Sequence, residues 1–452
     1  MMLRFLLKLF VFLLVILAIA VLAIIFVPIK RSGPTTQLPE NYQVPKGQGQ
    51  YVAQMGDCAA CHTTPNGVAY AGGREVDSPF GTIYATNITP AQNGIAGWSL
   101  DDFRAALQDG VRPDGTLLYP AMPYENYRKL REEDIVALYD YFAHDVQPVD
   151  TEVKKTSLIF PFNQRWGIRL WNWIAIAKKP GYEPRYNDVT LDRGAYLVET
   201  LGHCGACHTP RNLILKQKGL DATSADFLTG SSLSGWYAPD LRGENSAVTT
   251  WSKEDLYEYL TTGRNTRSAV IGPMRLVVEE SLQYTTKEDM AAIIAYLTHI
   301  ATKKPQAATP DAAASQKQNQ PRTLALAPTT ALLTHATPTN MPLGARLYLD
   351  NCNACHMVDG KGAAGIFPAL DGASMVTASD PAGLIEIILG GARMPSTEQR
   401  PADIAMPSFG WRLSDAEVAE LVNFLRSSWS NKTSSSVSPG TVAKIRANPL
   451  KE

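Results

Sequence analysis

The chain has 452 residues, a formal net charge of -1 and 45% hydrophobic residues. Near-neutrality speaks against the basic surface of a nucleic-acid binder, and the apolar share is that of an ordinary globular protein. The length suits about three domains of common size.

The first element is an uncharged run from Leu9 to Val27, flanked by Arg4 and Lys8 before it and Lys30 and Arg31 after it. As a helix at ~1.5 Å per residue it would extend about 28 Å, close to the thickness of a bilayer core. A cleaved signal would have a shorter apolar core ending at a small-x-small site. Here Ala18 and Ala20 lie inside the run and Pro28-Ile-Lys-Arg follows, so residues 1–31 read as a retained transmembrane anchor. Basic residues flank both ends, so charge alone leaves the orientation open.

Three copies of Cys-x-x-Cys-His use all six cysteines: Cys58, Cys61, His62; Cys204, Cys207, His208; Cys352, Cys355, His356. This is the attachment signature of c-type haem. Two thiols three positions apart can add to the two vinyl groups of one porphyrin, and the next residue places an imidazole on the iron. Half a zinc site or a thioredoxin-like pair would leave each histidine unexplained, and widely separated pairs do not suit one structural zinc. Three covalently bound haems c are expected. Their attachment after export puts everything from about Arg31 onward on the periplasmic side of the inner membrane, behind a single pass. That compartment permits disulfides, but thioether-bound cysteines cannot form them.

The motifs recur at nearly equal intervals, and the surrounding sequence recurs with them. A helix opening on glycine precedes each: Gly49-Gln-Tyr-Val, Gly194-Ala-Tyr-Leu and Gly344-Ala-Arg-Leu. After the first two come Trp98-Ser-Leu-Asp-Asp and Trp251-Ser-Lys-Glu-Asp, each a helix start with serine as N-cap and acids in the first turn. A shorter equivalent opens near Asp380. Each unit closes on an apolar stripe at three- and four-residue spacing: Ile135, Leu138, Tyr139, Phe142; Met290, Ile293, Ile294, Leu297; Val418, Leu421, Val422, Leu425. The expected architecture is all-α, with three tandem cytochrome c domains at 42–150, 188–300 and 341–430.

Between the first two domains, 151–187 is an aromatic connector containing Phe160-Pro-Phe, Trp166, Trp171 and Trp173. It reads as packing between haem domains, or as contact with a partner subunit, the lipid headgroup zone or a quinone tail. Residues 301–340, rich in Ala, Pro, Thr and Gln, have the composition of a flexible linker. Residues 431–452 form a polar tail.

Methionine is the usual sixth ligand of electron-transfer haems c. Met122, in Tyr119-Pro-Ala-Met-Pro, is the one methionine between the first two motifs, and His144 is its rival at a helix end. In the second unit Met274 precedes the last helix as Met122 does, whereas Met290 sits on the apolar stripe. In the third, Met406 in Ala405-Met-Pro-Ser echoes the first, ahead of Met394 and Met375. The metal ligands expected are therefore His62 with Met122, His208 with Met274, and His356 with Met406. Each imidazole needs a carbonyl or carboxylate on its other nitrogen. Thr86, Pro239 and Pro368 are the carbonyls expected there.

Taken together, Asp57-Cys-Ala-Ala-Cys-His-Thr, Phe80-Gly-Thr-Ile-Tyr-Ala-Thr-Asn-Ile-Thr89, Gly110-Val-Arg-Pro-Asp-Gly, Leu118-Tyr-Pro-Ala-Met-Pro-Tyr, Phe160-Pro-Phe-Asn and His203-Cys-Gly-Ala-Cys-His-Thr-Pro-Arg-Asn carry a likeness. The chain resembles the membrane-bound three-haem cytochrome c subunits of bacterial periplasmic dehydrogenases. The resemblance implies no catalytic site here: a separate subunit oxidises an alcohol, aldehyde or sugar, and this chain relays the electrons to ubiquinone. That partner would hold pyrroloquinoline quinone, flavin, or a molybdenum cofactor with an iron-sulfur subunit. Several relatives carry a C-terminal membrane segment, and an N-terminal anchor resembles instead the cytochromes of molybdenum-dependent aldehyde dehydrogenases. Delivery of electrons to a terminal oxidase is the alternative route.

Overall fold

In the computed structural model the residues described are 2–27, 29–176, 179–302, 328–433 and 435–450. The apolar run forms helix α1 (Met2–Phe26), exposed along its length and long enough to cross a membrane. Beyond it the chain resolves into two compact units. One comprises 1–185, 196–206 and 212–216, and the other 186–195, 207–211 and 217–452.

In the first unit, α2 (Gln48–Met55) leads into α3 (Cys58–His62), followed by α4 (Leu100–Asp109) and α5 (Glu132–Asp140). Ser99 caps α4 through a full capping box with Asp102, and Gly110, at φ 63°, ends it in the left-handed conformation that glycine adopts most cheaply. α2 crosses α5 at Gly49, where an added Cβ would overlap the carbonyl of Ala137 and stand 2.6 Å from the Cβ of Tyr141. The Arg104 guanidinium, buried on α4, pairs with buried Glu132 of α5 at 2.6 Å. A small sheet of β1 (Glu75–Ser78), β2 (Gly81–Tyr84) and β3 (Ser157–Leu158), all antiparallel, lies downstream of the first motif. α6 (Ile168–Ala175) completes the unit.

Along the rest of the chain the pattern recurs twice. α7 (Val189–Tyr196) precedes the motif helix α8 (Gly205–His208), and β4 (Ser231–Leu233) pairs with β5 (Trp236–Ala238). α9 (Lys253–Thr262) is capped by Ser252 and ended by Gly263 at φ 77°, then come α10 (Met274–Glu280) and α11 (Lys287–Thr302). Gly194 of α7 meets Ala292 and Tyr296 of α11 as Gly49 meets Ala137 and Tyr141, the Tyr296 Cβ being 2.7 Å from a built Cβ. Met290 is fully buried, as its place on the apolar stripe requires. After α12 (Pro328–His335), α13 (Leu343–Asn351) leads into α14 (Asn353–His356). α15 (Ala382–Gly390), the two-residue pair β6 (Ala392–Arg393) and β7 (Ala405–Met406), and α16 (Asp415–Ser427) follow. Gly344 meets Glu420 and Phe424 of α16 in the same way, with Phe424 Cβ 2.6 Å away. Three times a glycine lets two helices close to backbone contact, with the residue four positions further on the partner helix filling the other side.

Three findings differ from the sequence expectations. The chain is mostly helical and not purely so, because hairpins occupy the loops after the motifs. The stretch 301–340 ends as structure: Leu333 of α12 is buried in the core around α13 and α16, since Leu332 and Leu333 supply an apolar face that average composition conceals. Residues 303–327 of that stretch lie outside the described residues. The C-terminal stretch forms α17 (Pro439–Ala447), capped by Ser438, with Val437 and Val442 buried in the same core. Arg446 holds it by bonding Asp415 at 2.7 Å and the Leu413 carbonyl at 2.8 Å.

Candidate haem attachment sites

The first motif lies wholly within its short helix, and in the other two the first cysteine stands one residue ahead of the helix that carries the second cysteine and the histidine. At each motif this sets two thiols and an imidazole to present themselves together. None of the six thiols is in a disulfide. Burial, reinforced by Asp57 and then Cys61, pushes the Cys58 thiol up to about 12, and burial with Cys355 does the same to Cys352. A redox or nucleophilic cysteine would need the opposite shift at these two positions. Among the described residues no cluster of three or more His, Cys, Asp or Glu is set to hold a metal ion.

The imidazoles are arranged alike. His62 Nδ1 lies 2.6 Å from the Thr86 carbonyl, His208 Nδ1 2.8 Å from that of Pro239, and His356 Nδ1 2.9 Å from that of Pro368. A carbonyl only accepts, so Nδ1 carries the proton and Nε2 is left as the lone-pair donor. This is the tautomer that ligates iron. Burial lowers the pKa of all three histidines against the opposing pull of the carbonyls, which favours the neutral ring. These three carbonyls are the ones the sequence repeat singled out. The residues fit a covalently bound haem: paired thiols, and an imidazole already oriented by its second nitrogen.

Backbone strain marks the entry to two of the motifs. Asp57 (φ 53°) and His203 (φ 35°) stand in the left-handed region immediately before the first cysteine. In the third, Met357 (φ 58°) takes that conformation immediately after the histidine.

The expected methionines are placed as follows. Met122 is half-buried in the turn before the short helix Tyr124–Tyr127. Met274, also half-buried, begins α10, and Met406 lies on β7 against the core of the third region. The rivals are placed as follows. His144 is exposed, its Nδ1 2.9 Å from the Asp140 carboxylate. Met394 is buried with its sulfur 3.9 Å from the Arg264 guanidinium. Met375 packs over Gly383, its sulfur 2.9 Å from where a Cβ would stand.

Two tyrosines beside the motifs escaped sequence reasoning. Tyr127 donates to the Gly56 carbonyl at 2.6 Å, and burial, with the first two motif cysteines nearby, raises its pKa well above the ordinary value. Tyr348 donates to the Met357 carbonyl at 2.6 Å, and its pKa is raised by burial and then by Cys352. They occupy different repeat positions, so no column of the repeat could have revealed them.

Residues 341–429 match the family model described as cytochrome c. The chain is 40% identical to the gluconate 2-dehydrogenase cytochrome c subunit of Pantoea cypripedii, over 88% of this chain and 89% of that protein. It is 39% identical to the cytochrome c subunit of alcohol dehydrogenase (quinone) from Gluconobacter oxydans, over 88% and 81%. Identity to the fructose dehydrogenase cytochrome subunit of Gluconobacter japonicus is 37%, over 92% and 86%.

Proposed function

Because the chain belongs to the family of cytochrome c subunits of dehydrogenase complexes, we propose that it is the three-haem relay between a catalytic dehydrogenase subunit and ubiquinone in the inner membrane. It is an electron-transfer subunit and not the catalytic one, like the relatives it matches. The observation that carries the reading is the threefold Nδ1-to-carbonyl arrangement, which prepares His62, His208 and His356 alike for iron.

Bound haem supplies a one-electron couple, and its potential depends on the axial pair. The residues do the rest. The cysteine pairs would hold each group in place, the carbonyls fix each imidazole, and Met122, Met274 and Met406 would supply the remaining iron ligands. Domains at 42–150, 188–300 and 341–430 each carry one haem, on the periplasmic side of the membrane that α1 spans once.

The anchor's position speaks for a molybdenum-dependent aldehyde dehydrogenase as partner, the less direct of two signals. The names of the relatives speak for a hydroxyl-bearing substrate, alcohol or sugar acid or sugar, and we place that class first. Purified complex should show haem reduction with one substrate class and reoxidation by a ubiquinone analogue. Reduction without reoxidation by the quinone would redirect the relay to a terminal oxidase.

A further inference from the structure

The short helix α6 is apolar on the side turned away from its unit. Ile168 and Ala175 are buried, whereas Leu170, Trp173 and Ile174 on the opposite side are exposed, Trp173 by 61%. Trp166, one turn ahead on the same side, is exposed as well. Phe160, 77% exposed in the preceding loop, and Leu213 in the turn next to α6 extend the surface. The Trp171 indole fixes that turn by donating to the Ile214 carbonyl at 2.8 Å. Scattered apolar side chains on a surface need no explanation, but a continuous patch does.

Two observations name what covers it. First, α6 is joined to the end of α1. Arg169 Nη1 donates to the Ile24 carbonyl at 2.6 Å and Nη2 to that of Val27. It thereby satisfies carbonyls that the last turn of α1 leaves without an intrahelical partner. Second, the chain leaving α1 is fastened down. Ile29 packs with Ile168, Val111 and Leu117. Arg31 pairs with Asp102 at 2.7 Å, Ser32 N–H donates to Asp109 at 2.6 Å, and Thr35 N–H donates to Glu132 at 2.9 Å. The anchor therefore has no slack between membrane and protein, and the patch starts where α1 ends.

We infer that α6 and the Phe160 loop lie in the headgroup and upper acyl zone of the bilayer, as an in-plane amphipathic seat beside the transmembrane anchor. Tryptophan suits that depth, since its ring is apolar and its N–H is not. Lys30 and Lys216 at the edge suit anionic headgroups. The inference rests on α1 being a membrane anchor and goes beyond it: the first unit is held at the surface by two contacts, one spanning and one lying flat.

The test uses the full-length, haem-loaded chain in vesicles of phosphatidylethanolamine and phosphatidylglycerol carrying a phospholipid with a photoreactive group near its acyl carbonyl. After illumination, lipid adducts are mapped by mass spectrometry. Adducts are expected on peptides of α1 and on those containing Phe160, Trp166–Ile174 and Leu213. Adducts on α1 alone would overturn the seat and leave the anchor intact, whereas absence from α1 would remove the anchor and the inference with it. A Trp173→Gln, Ile174→Gln variant, altered only at exposed positions, should lose α6 labelling several-fold with α1 labelling unchanged. The same labelling in the complex with its dehydrogenase should persist at α6; its loss there would assign the patch to a protein partner and overturn the proposal.

Discussion

The loops that turn back onto the three motif histidines solve one problem by two routes. After the first motif, the hairpin β1–β2 intervenes and Thr86 presents its carbonyl two residues beyond Tyr84. After the second, β4–β5 intervenes and Pro239 follows Ala238 directly. The third motif has no hairpin. A single bridge between Ala363 and Phe367 brings Pro368 round after a much shorter excursion. What is common to all three is a backbone carbonyl one or two residues after an antiparallel pairing. The comparison teaches that the ring's hydrogen bond is the constrained feature and the loop length is free, because an imidazole senses only the oxygen in front of it.

The strongest challenge to equivalence of the three regions removes the attachment chemistry. Replacing Cys352 and Cys355 together by Ser should lower the haem content of the purified chain from three to two by pyridine haemochrome assay. The pair Cys204 and Cys207 should behave identically despite its longer loop. A content of three in either variant would break the equivalence.

Next in size is the sixth ligand. Met122→Leu, Met274→Leu and Met406→Leu should each abolish one Met-to-iron absorption band and lower one midpoint potential by on the order of 0.1 V, within the roughly 0.8 V that ligands and surroundings span. Met394→Leu should leave both unchanged. A redox titration that moved with Met394 and not with Met406 would reassign the ligand of the short-loop region.

Helix crossing should be equally sensitive in all three regions. Gly49→Val, Gly194→Val and Gly344→Val each drive carbons into a carbonyl and a Cβ, and overpacking of this kind costs about 1–3 kcal/mol. Each should lower the denaturant midpoint of the haem-loaded chain, and a neutral result at one glycine would mark that crossing as looser than the others.

The smallest effect separates hairpin from bridge. Ser234 and Gly235, at φ 49° and 86°, form the two-residue turn of β4–β5, a conformation favoured for glycine. Gly235→Ala should cost about 1 kcal/mol. It should shift the potential of the second haem slightly, by loosening the Pro239 carbonyl, and leave the third haem untouched in the same titration.

Much of each site was legible because its chemistry is local. Thiols at i and i+3 and an imidazole at i+4 are demanded by one porphyrin, and no distant residue changes that. The closing helices were legible through their stripes, and Ser99 and Ser252 through capping. The carbonyls of Thr86, Pro239 and Pro368 were legible only through the repeat, since a carbonyl carries no side-chain signal. Tyr127 and Tyr348 were not legible, because tyrosines near a motif in sequence or space look like any others. α12 and α17 were hidden by composition, where one or two buried Leu or Val per turn are diluted among Ala, Thr and Ser.

By itself the sequence determined the three Cys-x-x-Cys-His motifs, the apolar stripes, the glycine that opens the helix before each motif, and a first helix long enough to span a bilayer, since each follows from spacing along one chain. Only the tertiary structure decided where Tyr127 and Tyr348 make their hydrogen bonds, that the Met394 sulfur lies beside a guanidinium, and which side of α6 faced outward. Periodicity reports that residues share a face, but whether that face is covered depends on what folds against it. For α6 the burial of Ile168 and Ala175 turned the tryptophan face out, and Arg169 brought it to the end of the anchor.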